Sequence, residues 1–356
     1  MSTFFPEGDP GVTGEEPGAP VRQPGPSRRR RHGTRLVLVL LGAVAILLTT
    51  AVVVGTSYVT TVSRSVSENL QRGEQLPPEV PTDPTEAPRP AKPPAADRAV
   101  NYVLLGSDSL TGDAGQGRSD VLMVLHLAGD RRSAALISFP RDLYVPIPGH
   151  GSDKINAAFA LGGTPLTVRT LEGLLGTRMD HAALIDFAGF ISLTDQLGGV
   201  TVDNPHPSVS QGYTFPVGPV TVSGEQALAY VRERKQLPRG DLDRAERQRL
   251  VARAVLEKGL SRETLLSPRA FNRFAGGLAQ QVTVDAQLSV PELRRTALSL
   301  RFKPSEIASL QAPISGLGTS PTGQSIDIVD RDQLAELARA LREDQLDAYV
   351  AEHPEG

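Results

Sequence analysis

The alternation of apolar and polar positions divides the chain into four stretches. Residues 1–35 show no apolar period, are rich in Gly, Pro and Glu, and end in Arg28-Arg29-Arg30-Arg31 and Arg35; this predicts a disordered tail with a basic flank. Residues 36–59 carry no charge, and a helix needs about 20 residues to cross a hydrocarbon core. A cleavable leader has a shorter apolar region and a small-residue cleavage site, so a retained transmembrane helix is expected. Arginines crowd its N-terminal side and the first charge beyond it is Arg64. The positive-inside rule then puts the N-terminus in the cytoplasm and the rest outside, as a single-pass protein of the cell membrane. Residues 60–98 hold Pro77, Pro78, Pro81, Pro84, Pro88, Pro90, Pro93 and Pro94, the composition of an extended extracytoplasmic spacer.

From 99 to 356 apolar runs alternate with amphipathic stretches, which predicts an α/β domain. Strands are expected at Tyr102–Gly106, Asp120–Leu127 and Ala134–Phe139, the last two joined by a turn at Ala128-Gly129-Asp130-Arg131. Thr164-Pro165 and Gly176 bracket a helix over Leu166–Leu175. Asp186 is placed to cap Phe187–Leu197, which runs into Gly198-Gly199. Ser223-Gly224-Glu225-Gln226 has capping-box spacing ahead of Ala227–Val231. Ser325–Val329 reads as a late strand, with Asp330 capping a helix to about Arg342, and both complete the same domain rather than forming a second catalytic unit.

Composition narrows the chemistry. A net charge of −3 speaks against a general nucleic-acid binder. With no cysteine there is no disulfide, thiolate nucleophile or cysteine metal site, and six scattered histidines, none at i,i+4 spacing, do not suggest a zinc site. Of 37 basic residues only five are lysines. Arginine suits phosphate, but a biased genome composition accounts for the overall excess, so each arginine is weighed by position. Gly112–Gly117 lacks the Gly-Lys-Ser/Thr ending of a P-loop, and no Gly-x-Ser-x-Gly elbow is present.

If the first three strands form a meander, the end of the first, the start of the second and the end of the third share one sheet edge. Asp108, Arg118, Asp120, Arg141 and Asp142 then converge there. Hard carboxylate oxygens with arginines suit Mg²⁺ and phosphate; the plainer alternative is a set of surface loop charges. On the helix beginning near Asp241, Arg244 and Gln248 extend the Val251/Val255 stripe inward, while Glu246, Arg249 and Arg253 point to solvent and Arg247 lies between. Arg232 and Arg234 flank Glu233, so an extended segment aims both to one side. They form either a phosphate clamp or a ladder paired with Asp241 or Asp243.

These segments, in order, resemble the LytR-CpsA-Psr family of cell-wall ligases. The matching runs are Leu105-Gly106-Ser107-Asp108-Ser109, Gly117-Arg118-Ser119-Asp120, Pro140-Arg141-Asp142-Leu143 and Lys154-Ile155-Asn156-Ala157-Ala158. Asp186–Phe190, Leu197–Val200, Ala227–Arg232 and the Arg244…Arg247-Gln248 helix start follow, so the core of the match is 101–260. Leu110 departs from it, since many relatives carry arginine there. The resemblance implies a three-layer α/β/α domain around a mixed sheet, with an apolar pocket for a polyprenyl tail. It implies Mg²⁺, or Mn²⁺ in its place, held by Asp108 and Asp120. It implies pyrophosphate binding by Arg118, Arg141, Arg232 and Arg234, with Asp241, Arg244 and Gln248 near the head group. Asp108, Asp120 and Asp241 are then the candidate catalytic carboxylates, with Arg118. The implied donor is a polyprenyl-pyrophosphate-linked glycan and the implied acceptor peptidoglycan. A polyprenyl-pyrophosphate pyrophosphatase and a non-catalytic membrane regulator that binds the lipid-linked glycan are the alternatives.

Overall fold

Three consecutive apolar runs build the centre of the domain. A computed structural model describes residues 70–80, 87–107, 117, 119–261, 263–264 and 267–353, all within one compact unit, 58–356. The basic tail, the expected membrane helix, Asp108, Leu110 and Arg118 lie outside the described residues. Among the described residues no helix is long and apolar enough to cross a membrane.

The strands of the central sheet are β1 (Gln71–Gly73), β2 (Val100–Ser107), β3 (Ser119–Leu127), β4 (Ala134–Ser138), β5 (His181–Asp186), β6 (Val282–Asp285) and β7 (Ala308–Gln311). They lie in the order β1-β6-β5-β2-β3-β4-β7. β2, β3 and β4 form the expected antiparallel meander. β5 runs parallel to β2 and β7 parallel to β4, so the sheet is mixed. The α-helices among the described residues are α1 (Ile155–Leu175), α2 (Phe187–Gln196), α3 (Gly224–Arg232), α4 (Asp241–Gly259), α5 (Pro268–Gln281), α6 (Val290–Ser299), α7 (Arg331–Glu343) and α8 (Leu346–Glu352). Successive strand residues point to opposite faces. Val103, Leu105, Val124 and Ile137 pack under α1, α7 and α8, while Tyr102, Leu104, Met123 and Leu136 share the other face with α4, α5 and α6. A third apolar cluster joins α2, α3 and α4 to the hairpin Val200–Asn204/Gly218–Val222.

Local signals held where the partner was local. Asp186 Oδ1 accepts from Gly189 N at 2.7 Å, and Asp330 Oδ1 from Gln333 N at 3.0 Å. The first helix differs from expectation: it begins at Ile155 and is broken at Gly162-Gly163, with Gly163 at φ 63°. Thr164 lies inside the second segment, and its buried hydroxyl has no hydrogen-bond partner among the described residues. Ser223 is the N-cap residue of α3 but its side chain makes no cap bond, and the first backbone donor of the helix, Gly224 N, is satisfied from α2 by Thr194 Oγ1 at 2.9 Å.

The stretch expected as a spacer is, where described, part of the domain. β1 is a parallel edge strand on β6. The buried Arg89 donates from Nε and Nη2 to Glu172 (3.1 and 2.7 Å) and from Nη2 to Met179 O (2.6 Å). Proline removes backbone donors but does not prevent a segment from docking through its side chains.

Candidate active site

A β-bulge delivers the central carboxylate. Gly106 pairs with Val121 but Ser107 pairs with Ser119, so Asp120 is the extra residue that a bulge re-aims. Ser119 Oγ donates to Val121 O at 2.7 Å and braces the bulge. Gly106 is required there, since a Cβ would stand 2.9 Å from Val121 Cβ.

Arg141 leaves β4 through Phe139-Pro140 and arrives at the same edge. Its Nη1 donates to Asp120 Oδ1 at 2.7 Å, and its Nη2 lies 3.2 Å from Asp241 Oδ1. Asp241 opens α4, a position that favours negative charge. It also pairs with Arg244 Nη2 at 2.9 Å and lies 3.5 Å from Arg234 Nη1. Three arginines therefore share one carboxylate. Burial works against the Arg141 charge, but Asp241, Asp120 and Asp142 outweigh it and hold the guanidinium above its ordinary value. For Arg244 burial wins and the value falls, despite Asp241. Gln248 Nε2 donates to Val231 O at 3.3 Å, fixing the end of α3 against α4.

Behind this head lies a cavity of about 410 Å³ between the sheet and the helices. Leu104, Met123 and Ile185 form its floor, and Phe187, Phe190 and Leu278 its walls. Asp120, Arg141, Arg232, Arg234, Arg244 and Gln248 line it at the polar end. Arg232 is the last residue of α3 rather than part of an extended run, with its guanidinium 4.9 Å above the Phe187 ring. Arg232 and Arg234 nonetheless line the same cavity, with Glu233 buried between them. Asp243 is not in this set; it accepts from Arg239 N and Nε at 2.7 and 2.6 Å.

The structure thus brings together Asp120, Arg141, Arg232, Arg234, Asp241, Arg244 and Gln248. Sequence reasoning misplaced Arg249. It is buried, not solvent-facing, and donates to Ser138 Oγ at 2.6 Å, with burial pushing its pKa down to about 10. The first half of α4 is enclosed on two sides, by the central sheet and by the α2–α3 cluster, so a single apolar stripe understates what it buries. Arg247, left open by the periodicity, is 1% exposed, 4.4 Å over the Tyr230 ring, and bonded to Asn204 Oδ1 and His206 O. Asp327 was missed altogether. It is buried on the strand Ser325–Val329, and burial followed by Asp142 and Asp241 raises its pKa to about 6.

An apolar cavity capped by arginines bridged through aspartates suits a ligand that has an apolar part and an anionic, phosphate-like head. The LytR_cpsA_psr family pattern matches residues 56–343, and the chain belongs to that family. It is 35% identical over 246 residues to the polyisoprenyl-teichoic acid–peptidoglycan teichoic acid transferase TagU of Enterococcus faecalis, covering 68% of this chain and 78% of the relative. The match to the relative of the same name from Bacillus mycoides spans 55% of that protein. Among solved structures, B. subtilis TagV superposes with a TM-score of 0.62 at 27% identity, over 70% of this chain and 97% of that one. TagT bound to LI-WTA superposes with a TM-score of 0.57 at 28% identity, over 72% and 96%.

Proposed function

We propose that the protein is a phosphotransferase that moves a phosphate-linked glycopolymer from an undecaprenyl-pyrophosphate carrier onto peptidoglycan and releases undecaprenyl phosphate. One observation carries this reading: the apolar cavity opens directly onto the Arg141–Asp120–Asp241–Arg244 cluster. The cavity takes the proximal part of the prenyl tail. Arg141, Arg232, Arg234 and Arg244, joined by Arg118, hold the pyrophosphate, and Gln248 keeps α3 and α4 in register beside it. Asp241 orients three of these arginines rather than facing the cavity itself.

In the reaction an acceptor sugar hydroxyl forms a new bond to the glycan-linked phosphorus while that phosphorus loses its oxygen bridge to the carrier phosphate. The hydroxyl proton passes to a carboxylate, with Asp120 and Asp108 as the candidates and Asp241 set further back. The arginines counter charge that grows on the phosphate oxygens, acting as prepositioned donors in a water-poor site. The hard oxygens of Asp120, at the cavity's polar end, suit Mg²⁺ or Mn²⁺, which take one or two carboxylates and share phosphate oxygens. Asp120 with Asp108 would hold that ion, whose contribution is further neutralisation of phosphate charge. A single-pass anchor with the domain outside would give the site access to the lipid carrier and the wall.

The test uses the full chain in lipid nanodiscs with Mg²⁺, a polyprenyl-pyrophosphate saccharide and a peptidoglycan oligomer, read by mass spectrometry. A phosphodiester-linked saccharide–peptidoglycan adduct that disappears in Asp120→Ala supports the transferase. Saccharide phosphate without adduct supports the pyrophosphatase. Donor binding without turnover, equal in the variant, supports the regulator.

A further inference from the structure

The C-terminal hairpin Ile314–Thr319/Ser325–Val329 lies outside the core of motifs, yet it carries one buried ionisable residue, Asp327, on the strand bonded to the segment that follows Arg141. Asp327 is bridged to the segment after β4: Leu143 pairs with it, and Asp327 N donates to Asp142 O at 2.9 Å. Its side chain is buried, and Oδ2 has no hydrogen-bond partner among the described residues. The charged groups that act on it are Asp142 and Arg141 after β4, Asp241 at the start of α4 and Lys154 at the end of strand Gly151–Lys154. Of the strands packed against it, Ile314–Thr319 carries no ionisable side chain and Tyr144–Ile147 carries only Tyr144. Lys154 Nζ is held by Asp142 Oδ1 at 2.9 Å, and Arg141 Nε, 3.8 Å from Asp142 Oδ2, is buried without a hydrogen-bond acceptor among the described residues.

We infer that Asp327 is a positioning residue of the same site, whose ionisation sets the charge of the Arg141–Asp241 clamp on the donor's pyrophosphate. The inference rests on the function proposed above. The described cluster contains Asp120, Asp142, Asp241 and Asp327 against Arg141, Lys154, Arg232, Arg234 and Arg244, five cations against four carboxylates, so protonating Asp327 raises the positive excess from one charge to two. The larger excess favours an incoming anion. Binding of the anion in turn draws a proton onto Asp327, because the two effects are one linkage. A buried carboxylate with an unsatisfied oxygen costs stability, and its placement beside the clamp gives that cost a functional return. Asp327 does not line the cavity, so no bond is made or broken at its carboxyl.

The experiment measures binding of a short-prenyl pyrophosphate-linked N-acetylglucosamine to the full chain in detergent, without metal, from pH 5 to 7.5. Both phosphates of this probe are diesters and keep constant charge across the range. The wild type is expected to lose affinity roughly tenfold as pH rises, the scale of one charge acting across a partly screened site. Asp327→Asn is expected to bind with little pH dependence, near the wild type's low-pH affinity. Calorimetry of the wild type in buffers of different ionisation enthalpy supplies a reading that needs no variant: net proton uptake near pH 6. A pH-independent wild-type affinity with no proton uptake overturns the inference and leaves the proposed function standing. Absence of binding at every pH, with Mg²⁺ added as well as without it, removes both.

Discussion

Arg141 organises the head of the site, because one guanidinium reaches Asp120 and Asp241 together. Lysine offers a point charge and no fork. Arg141→Lys is therefore expected to lower transfer roughly 10²-fold, the scale of losing one prepositioned donor, with little change in thermal stability; initial rates and a melting curve check both. Arg249 gives the opposite expectation. It is a buried cation that the proposed chemistry does not use, and replacing a buried charge by an apolar side chain of similar volume is often neutral or stabilising. Arg249→Met should keep transfer within about twofold and leave the urea midpoint equal or higher. At this scale strand order brings out Asp120 and Arg141, helix periodicity brings out Arg244 and Gln248, and the family resemblance adds Arg232, Arg234 and Asp241. The sequence does not show Asp327 or the burial of Arg249, since both depend on what lies across from them in space. Residue numbers 185 apart join Asp142 to Asp327, and no periodicity spans that.

At the scale of elements, β1 and the Arg89 segment tie the chain ahead of residue 99 to the sheet. Arg89→Ala would leave Glu172, 2% exposed, without its charged partner, which destabilises by about 3–5 kcal/mol; urea unfolding of the full chain measures this. A fragment beginning at residue 99 should fare worse, lacking β1 as well, and comparison with one beginning before Leu70 tests it. Helices whose caps are local, such as those at Asp186 and Asp330, were legible in sequence. The α3 start was legible in position but not in mechanism: Ser223 makes no cap bond, and a tertiary contact from Thr194 of α2 satisfies the first backbone donor. A three-residue edge strand amid prolines has too little pattern to read, and it forms because β6 offers an unpaired edge.

For the whole molecule, two buried groups make stability depend on pH in the same direction. Asp327 has a folded pKa raised from 3.8 to about 6, so the folded state binds its proton more tightly than the unfolded chain. Stability then falls as pH rises from about 4 to about 6 and is flat above. Asp327→Asn should therefore raise stability at pH 7 by up to about 3 kcal/mol. His181 of β5 is also raised: burial opposes its charge, but the Asp285 hydrogen bond and the Asp285 and Glu292 charges prevail. Its contribution is full below about pH 6.5 and fades as pH climbs through the raised value, which His181→Gln removes. Urea midpoints from pH 4.5 to 8.5 should thus decline in two windows, the lower absent in Asp327→Asn and the upper absent in His181→Gln. The α/β class was foreseeable from alternating apolar runs and the mixed sheet from the family resemblance, whereas the closing of both sheet edges, by β1 and by β7, required the fold itself.

The most direct test of the proposed transfer is phosphorus NMR of the full chain in nanodiscs with Mg²⁺, a polyprenyl-pyrophosphate saccharide and a peptidoglycan oligomer. The account predicts that the paired pyrophosphate resonances give way to one phosphomonoester, from the released carrier, and one phosphodiester, from the glycan joined to the wall, with Asp120→Ala leaving the spectrum unchanged. Two phosphomonoesters and no phosphodiester, or a pyrophosphate signal that persists with the wild-type protein, would contradict it.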